Sequence, residues 1–346
     1  MGGQRMKPTD FATHVTNFLS HYLPMECGMS ANTIKTYSYT FTLLMEYMHE
    51  EELVKPERLC LKDVTKERVS KFLGWLESKR QCNVSTRNAR LGAIHSFFKY
   101  LQYKDVKGIL QWQEIMSVKL KKTTSPEMAY LTVEGIKLVL CQPDLKTKTG
   151  RRDFALLGLM YDSAARVQEI IDATPESLRF DTTTTIRLIG KGNKARSVPL
   201  SEAQVANLKK YLEENALLRP QNLKHPLFPN RQGGKMSRMA VLNIVKKYVQ
   251  IARQKQPSLI PETISCHSFR HSKAIHMLDA DINLVYIRDF LGHSSTTTTE
   301  VYARASAKKK EEALAKLNPG IVVEGKTSWQ KDKELLGFLK DLQRKY

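Results

Sequence analysis

Cysteine is scarce in this chain, and its spacing argues against a structural role. The cysteines are odd in number, widely separated and without a Cys-x-x-Cys pair: Cys27, Cys60, Cys82, Cys141 and Cys266. Such a set excludes a disulfide framework and a zinc-finger arrangement, so we expect no metal. Unpaired cysteines are typical of a reducing compartment, which favours a cytoplasmic location.

Long hydrophobic runs, internal repeats and low-complexity tracts are also absent from the sequence. No apolar run is long enough to span a bilayer, and the N-terminus has no signal-peptide core, so we expect no membrane partner. The 346 residues, 41% of them hydrophobic, are instead enough for two domains with ordinary cores.

Acidic residues are under-represented. Asp and Glu total 35 against 55 Lys and Arg, which gives a formal net charge of +20. An excess of this size favours a polyanionic partner, most simply DNA or RNA, although a basic protein without such a partner is the alternative.

Residues 8–115 are predicted to form a helical domain. Apolar residues recur at helical spacing over residues 31–48, with Ser30 as N-cap, over 66–80, and in a third helix that Ser85 caps. Polar and basic side chains lie at the starts of the first and third helices, where they suit contact with phosphate. The candidates for DNA contact there are Asn32, Thr33, Lys35, Thr36, Arg87 and Arg90.

A basic linker is predicted at residues 116–128, and its Lys119, Lys121 and Lys122 are further candidates for contact with a DNA backbone. A second domain follows over residues 129–320, and Thr132 is placed to cap its first helix. The hydrophobic period changes after Ile171, which predicts three short strands at 177–180, 185–189 and 196–200 among helices. Residues 321–346 are predicted to form a tail with an amphipathic helix.

Six side chains of the second domain suit attack on a phosphodiester. Two arginines can hold phosphate oxygens, histidines can move protons near neutral pH, a lysine can reach the leaving oxygen, and a tyrosine can attack. Singly, each has an ordinary structural explanation, but together they occur in an order that coincidence does not explain. The set is Arg166, Lys191, His267, Arg270, His293 and Tyr302.

The motifs around these residues resemble those of the tyrosine recombinases of the phage-integrase and Xer type. The segment 161–170 resembles the box with the first catalytic Arg and an acidic residue three positions later, and 189–200 resembles the hairpin with the catalytic Lys. His267-Ser268-Phe269-Arg270 matches the His-x-x-Arg box, and Leu291-Gly292-His293 with Tyr302 matches the last box.

The resemblance implies a mainly α-helical protein, with a helical core-binding (SAM-like) domain and a mixed α/β catalytic domain that holds a small antiparallel sheet. It implies that Tyr302 forms a 3′-phosphotyrosine, that Arg166 and Arg270 hold the phosphate, and that Lys191 protonates the leaving oxygen. His267 and His293 would share the roles of proton acceptor and oxygen donor, and Glu169 would support Arg166 or His267.

The same resemblance implies exchange of double-stranded DNA at core sites through a Holliday junction, without a cofactor. The expected assembly is a dimer on each site and a tetramer in the synapse, joined through the tail, in a bacterial cytoplasm and at the nucleoid when bound to DNA. An accessory directionality factor would be compatible with it. The chain resembles the two-domain recombinases that lack an arm-binding domain, including those of mobile elements and those that resolve replicons.

Two departures and two alternatives accompany the resemblance. Ala164 and Ala165 stand where Gly and Leu are commoner, and Lys194 competes with Lys191 for the role of hairpin lysine. A type IB topoisomerase-like enzyme would use the same chemistry to relax DNA. A catalytically silent DNA-binding regulator is the other alternative, against which the complete set of six residues argues.

Overall fold

The computed structural model describes residues 7–123, 128–293 and 299–302, with the single residues 337, 340, 341 and 344. The side chain of Lys191 is not among the described parts. The expected tail helix of residues 321–346 and part of the expected linker therefore lie outside the described residues. The chain divides into two compact units, residues 1–126 and 127–346.

The regular structure described in the first unit is helical, as predicted. Its α-helices are α1 (Asp10–Asn17), α2 (Ala31–Glu50), α3 (Lys66–Ser78), α4 (Val84–Lys104) and α5 (Ile109–Met116). A π-helix, Phe18–Glu26, continues α1. Aromatic rings join three of these segments: the ring centroid of Phe97 lies 5.3 Å from that of Phe18 and 5.1 Å from that of Phe41. Edge-to-face aromatic packing of this kind stabilises a core beyond the area it buries.

The helix caps of the first unit agree with the sequence at one position and differ at another. Ser30 caps α2, and its hydroxyl accepts a hydrogen bond from the backbone nitrogen of Thr33. The prediction that Ser85 caps the next helix is wrong. Asn83 is the cap, and its side-chain oxygen lies 2.8 Å from the backbone nitrogen of Thr86, because an amide oxygen caps as well as a hydroxyl.

The second unit combines helices with one small sheet. Its α-helices are α6 (Val133–Leu140), α7 (Lys148–Asp162), α8 (Val167–Asp172), α9 (Glu202–Glu214), α10 (Arg238–Lys255), α11 (Cys266–Asp279) and α12 (Leu284–Leu291). The strands are β1 (Leu178–Arg179), β2 (Thr185–Ile189) and β3 (Ala195–Pro199), and they pair antiparallel in chain order. The mixed architecture expected for this unit is confirmed, and Thr132 caps α6 as predicted.

Two groups of buried apolar side chains pack around α11. Phe269 of α11 is fully buried in the main core of the second unit. A smaller cluster joins α11 and α12 with Ala164 and Tyr302. The two clusters fix α11 from both sides, so its polar side chains project from a rigid support. Within the described residues, no helix has the length and the apolar character that crossing a bilayer requires.

Candidate active site

Arg166 lies at the sharp turn between α7 and α8. The φ angle of Ala164 is 47°, a left-handed conformation that costs a residue other than glycine roughly 1–2 kcal/mol, which explains why Gly is commoner there. The Glu169 carboxylate accepts hydrogen bonds from the Arg166 backbone nitrogen at 2.8 Å and from its Nη1 at 2.9 Å. Of the two partners expected for Glu169, the structure therefore shows Arg166.

A further arginine, Arg196 of β3, binds the same carboxylate. Its Nη1 donates to Oε1 of Glu169 at 2.9 Å and its Nη2 donates to Oε2 at 2.8 Å. The Glu169 side chain is only 3% exposed. Burial would raise the pKa of Glu169, but hydrogen bonds and charges from Arg196 and Arg166 outweigh it and lower that pKa. The carboxylate is therefore ionised at neutral pH.

Three successive carbonyl groups at the C-terminus of α12 accept hydrogen bonds from three arginines. Phe290 O accepts from Nε of Arg196 at 3.0 Å, and Leu291 O accepts from Nη2 of Arg270 at 2.6 Å. Gly292 O lies 3.5 Å from Nη2 of Arg166. The last carbonyls of a helix have no partner within it and carry partial negative charge, so they suit guanidinium groups.

The charges of this cluster do not balance. Arg166 and Arg196 both pair with the carboxylate of Glu169, and the guanidinium of Arg270 lies near enough to interact with the same charge. Burial, followed by the charges of Arg166 and Arg196, lowers the pKa of Arg270 to about 10, so Arg270 remains protonated at neutral pH. An oxyanion placed among them would gain charge-assisted hydrogen bonds and relieve their mutual repulsion.

Helix α11 carries three side chains toward this cluster. Arg270 is buried and its Nη1 donates to Ala164 O at 2.8 Å. His267 precedes it in the first turn, and its ring centroid lies 6.1 Å from that of His271, one turn further along the helix. Burial, with the charges of Arg270 and Arg166, lowers the pKa of His267. The spacings of three and four residues place all three side chains on one face of the helix.

Tyr302 is buried beside two histidines. Its hydroxyl oxygen lies 3.1 Å from Nδ1 of His271. Its ring stacks almost parallel on that of His293, with centroids 6.2 Å apart and an angle of 9° between the planes. Nδ1 of His293 in turn lies 3.0 Å from Oγ1 of Thr299. Burial raises the pKa of Tyr302, and the charges of Arg270 and Arg166 offset part of that rise.

Two of the histidines are neutral near physiological pH. Burial and neighbouring positive charge lower the pKa of His271 to about 4 and that of His293 to about 4. Neutral imidazoles can accept a proton or donate a hydrogen bond, which are the two functions that phosphoryl chemistry requires of histidine. Within the described residues, no group of three His, Cys, Asp or Glu side chains could hold a metal ion.

The hairpin between β2 and β3 approaches the arginine cluster through its backbone. Gly190 donates from its backbone nitrogen to Lys194 O at 2.9 Å, and Gly192 has a φ of 75°. A Cβ atom built on Gly190 would lie 3.2 Å from Oε1 of Glu169 and 3.4 Å from Nη1 of Arg166. Only a residue without a side chain permits this approach easily, so the backbone of Lys191 begins next to the cluster.

The structure brings most of the predicted catalytic side chains into one place. Those it describes there are Arg166, His267, Arg270, His293 and Tyr302. The sixth, Lys191, has its backbone in the adjacent turn, and its side chain lies outside the described residues.

Sequence reasoning missed two residues of this cluster, Arg196 and His271. Arg196 alternates with the buried Val198 in β3 and pairs across the hairpin with the buried Leu188, so it lies on the inward face of the strand. A charged residue at an inward strand position is a usable signal. His271 follows His267 by one helical turn, which was the signal for it.

The polar residues at the start of α2 remain available on the surface. Asn32, Lys35 and Thr36 are exposed and Thr33 is half-buried. Thr33 shares a hydrogen bond with Ser30, which belongs to the helix cap. Their position at a helix N-terminus remains compatible with phosphate contact.

The two arginines predicted at the start of α4 are engaged within the first unit. Arg87 is buried, and its Nη1 donates to the side chain of Asn88 at 2.9 Å and to Lys119 O at 3.3 Å. Arg90 Nη1 donates to Thr36 O at 3.0 Å. Arg87 therefore has a structural role that disfavours direct contact with phosphate, whereas Arg90 is half-buried and pairs α4 with α2.

The start of the expected linker is attached to the first unit. The Asn88 side chain donates to Lys121 O at 2.8 Å and accepts from the Lys121 backbone nitrogen at 3.1 Å. Nζ of Lys121 lies 2.7 Å from a carboxylate oxygen of Glu77. Lys119 and Lys122 are exposed, so they retain free access to solvent while Lys121 is paired.

Comparison with known proteins finds a family match in each of the two units. Residues 131–309 match the phage integrase family, and residues 15–104 match the N-terminal SAM-like domain of phage integrases. A putative integrase/recombinase, y4rC, of Sinorhizobium fredii is 32% identical over 97% of this chain and 99% of its own length. Tyrosine recombinase XerD of Listeria monocytogenes is 29% identical over 88% of this chain and 98% of its own length.

Two solved structures share the fold. The XerH recombinase in a post-cleavage complex with a palindromic difH substrate superposes with a TM-score of 0.64 at 21% identity, covering 83% of this chain and 80% of XerH. The Tn1549 transposon integrase with transposon right end DNA superposes with a TM-score of 0.65 at 14% identity, covering 88% and 99% of the two chains. The chain therefore belongs to the phage integrase family of tyrosine recombinases, enzymes that carry out site-specific DNA recombination by strand transfer.

Proposed function

We propose that the chain cuts and rejoins duplex DNA through a 3′-phosphotyrosine formed at Tyr302. The observation that carries this proposal is the buried hydroxyl of Tyr302 in a cluster that holds three guanidinium groups and one carboxylate. A phenol placed beside excess positive charge suits attack on a phosphodiester, because the same charges stabilise the transition state.

In the cleavage step, Oη of Tyr302 forms a bond to the scissile phosphorus as the bond from phosphorus to the 5′ oxygen breaks. Arg166 and Arg270 hold the non-bridging oxygens, and Glu169 with Arg196 holds Arg166 in place. The phenolic proton leaves to a neutral base, and Lys191 supplies the proton that the 5′ oxygen takes up. His267 and His293 complete the set, and each can donate a hydrogen bond to a phosphate oxygen or relay a proton within the site.

Rejoining reverses this step with the 5′ hydroxyl of another strand. The phosphotyrosine keeps the phosphodiester's bond energy, so the exchange needs no nucleotide hydrolysis or other cofactor. Two rounds of exchange through a Holliday junction would recombine two duplexes. Each core site would bind a dimer and the synapse a tetramer, with the tail of residues 321–346 of one protomer docked on its neighbour.

We further propose that the enzyme serves a mobile element, which it would integrate and excise in the bacterial cytoplasm, at the nucleoid. The names of two similar proteins support this role: the integrase/recombinase y4rC and the Tn1549 transposon integrase. Resolution of replicons, which the resemblance to Xer-type recombinases also implies, is the alternative role. An accessory factor could set the direction of exchange in either case.

Covalent capture tests the proposed chemistry. The protein is incubated with nicked fragments of genomic DNA, trapped with detergent, and the attached 3′ ends are sequenced. Wild-type protein should yield a defined site with DNA joined to Tyr302, and Tyr302→Phe should bind DNA without joining it. Absence of a covalent complex with wild-type protein would favour the DNA-binding regulator.

The recovered site also separates the remaining roles. Two duplexes that carry it and different labels should exchange strands if the protein is a recombinase. Relaxation of supercoiled DNA without exchange would indicate a topoisomerase-like enzyme. Sites at the ends of a mobile element would support integration, and one site on each replicon would support resolution.

A further inference from the structure

The Tyr302 hydroxyl lies beside the Arg270 guanidinium and beside a histidine to which the sequence motifs give no role. Nδ1 of His271 lies 3.1 Å from Oη of Tyr302, and the two rings are inclined by 51° with centroids 5.7 Å apart. This is hydrogen-bond distance from the atom that would attack phosphorus. His271 therefore touches a reacting atom of the proposed chemistry.

The surroundings of His271 favour its neutral form. On its own helix it faces His267 and Arg270, whose positive charge disfavours protonation, and burial acts in the same direction. From the other packed segments, His293 and Tyr302 face it. A neutral imidazole has one nitrogen lone pair in the ring plane, and this lone pair can accept the proton of a phenol.

The other two histidines are less suitably placed to receive that proton. His293 stacks its ring face on Tyr302, and its Nδ1 is engaged with Oγ1 of Thr299 at 3.0 Å. His267 lies in the first turn of α11, where its side chain is partly open to solvent, and its ring lies next to His271. The positions of the three histidines therefore favour His271 as the group that receives the proton of Tyr302.

We propose that His271 is the catalytic residue that accepts the proton of Tyr302 during cleavage and returns it during rejoining. The inference rests on the proposed function and deepens it. The O–H bond of Tyr302 breaks as the bond from Oη to phosphorus forms, and the proton moves to Nδ1 of His271. The bond from phosphorus to the 5′ oxygen breaks, and that oxygen takes a proton from Lys191.

Single-turnover cleavage of the captured site, synthesised as a nicked duplex, tests the proposal. His271→Asn keeps a polar atom near the position of Nδ1 but cannot take up a proton at neutral pH, and His271→Ala leaves space. Both variants should cleave about 100-fold or more slowly, within the range for general base catalysis. Added imidazole should restore part of the rate of His271→Ala, in proportion to the neutral form of imidazole.

A second substrate separates the two proton transfers. A duplex in which sulfur replaces the 5′ bridging oxygen has a leaving group that needs no proton. Lys191→Ala should regain most of its cleavage rate on this duplex, whereas His271→Asn and His271→Ala should remain slow, because the phenol still has to lose its proton.

The outcomes distinguish this inference from the function on which it rests. Wild-type rates in His271→Asn, or recovery of His271→Ala on the sulfur substrate, would overturn the role of His271 and leave the phosphotyrosine chemistry intact. Wild-type protein that forms no covalent complex with any DNA would overturn both. Circular dichroism of each variant, compared with the wild-type spectrum, identifies a loss of rate that comes from unfolding.

Discussion

The carboxylate of Glu169 and the guanidinium of Arg196 form a buried bidentate ion pair with nitrogen-to-oxygen distances of 2.9 and 2.8 Å. The pair joins the first turn of α8 to strand β3. Because Glu169 also binds Arg166, it connects the turn that carries Arg166 to the hairpin that carries Lys191. The carboxylate of Glu169 therefore holds together two segments that lie apart in the sequence.

Glu169→Gln should lower the free energy of unfolding by about 3 kcal/mol at pH 7, because it leaves two arginines without their buried counter-charge. The pKa of Glu169 is lowered in the folded protein, so its contribution to stability is present above the pKa of the unfolded chain. That contribution is lost as the pH falls through the lowered folded pKa. Urea unfolding of wild-type and variant at neutral and acid pH measures it.

The difference in stability between wild-type and Glu169→Gln should therefore shrink on acidification. Glu67→Gln is the control, because Glu67 forms an exposed ion pair with Lys71 that solvent screens, and its loss should change the stability little at either pH. A difference for Glu169→Gln that stays constant down to acid pH would argue against an ionised carboxylate.

Gly292→Ala should reduce both stability and DNA cleavage. Gly292 has a φ of 65°, and an added Cβ would lie 2.9 Å from Cδ of Arg196. The backbone strain costs about 1 kcal/mol, and the contact would displace Arg196 from Glu169. Gly233→Ala is the matched control, because Gly233 has a φ of 82° and no atom within 4 Å of an added Cβ.

Melting temperatures and single-turnover cleavage rates compare the two glycine variants. Both should lose stability through strain, but only Gly292→Ala should also cleave more slowly. Equal cleavage by the two variants would show that the position of Arg196 does not matter for the chemistry.

The two hairpin lysines should differ sharply in their effect on cleavage. Lys191→Gln should slow single-turnover cleavage by about 100-fold or more, as expected when a general acid is lost. Lys194→Gln should leave the rate close to that of wild-type, since Lys194 is exposed at the far end of the turn. The opposite result would assign the role of acid to Lys194.

Two basic residues of the first unit should separate DNA binding from stability. Lys35→Gln should weaken DNA binding and reduce the slope of log affinity against log salt by about 0.9, the value for one phosphate contact, without lowering the melting temperature. Arg87→Gln should lower the melting temperature, because Arg87 is buried and holds Lys119 O. Binding titrations at several salt concentrations, with thermal unfolding, measure both effects. Unchanged affinity in Lys35→Gln would remove α2 from the DNA interface.

Deletion of residues 327–346 should impair assembly on DNA while preserving binding of one protomer to one half of a core site. The expected reason is that an amphipathic helix in this segment docks on a neighbouring protomer. Gel-shift assays resolve one-protomer, two-protomer and synaptic complexes. Full synapsis by the shortened protein would contradict a role of the tail between protomers.

Local physical rules explain where the sequence predicts the fold well. Helical periodicity predicts α2 and α3, alternation of apolar residues predicts the hairpin of β2 and β3, and the caps at Ser30 and Thr132 are correct because a hydroxyl at that position satisfies free backbone nitrogens. The cap at Asn83 was missed because Ser85 offers the same chemistry two residues later.

The sequence by itself determined the basic charge, the two helical regions, the sheet and the order of the catalytic motifs, because each depends on composition or on neighbours in the chain. Only the tertiary structure decided that Glu169 pairs with Arg196, that Arg87 is buried and that His271 faces Tyr302. These contacts join residues that lie in different segments, so they depend on how the helices and strands pack and not on neighbours in the chain.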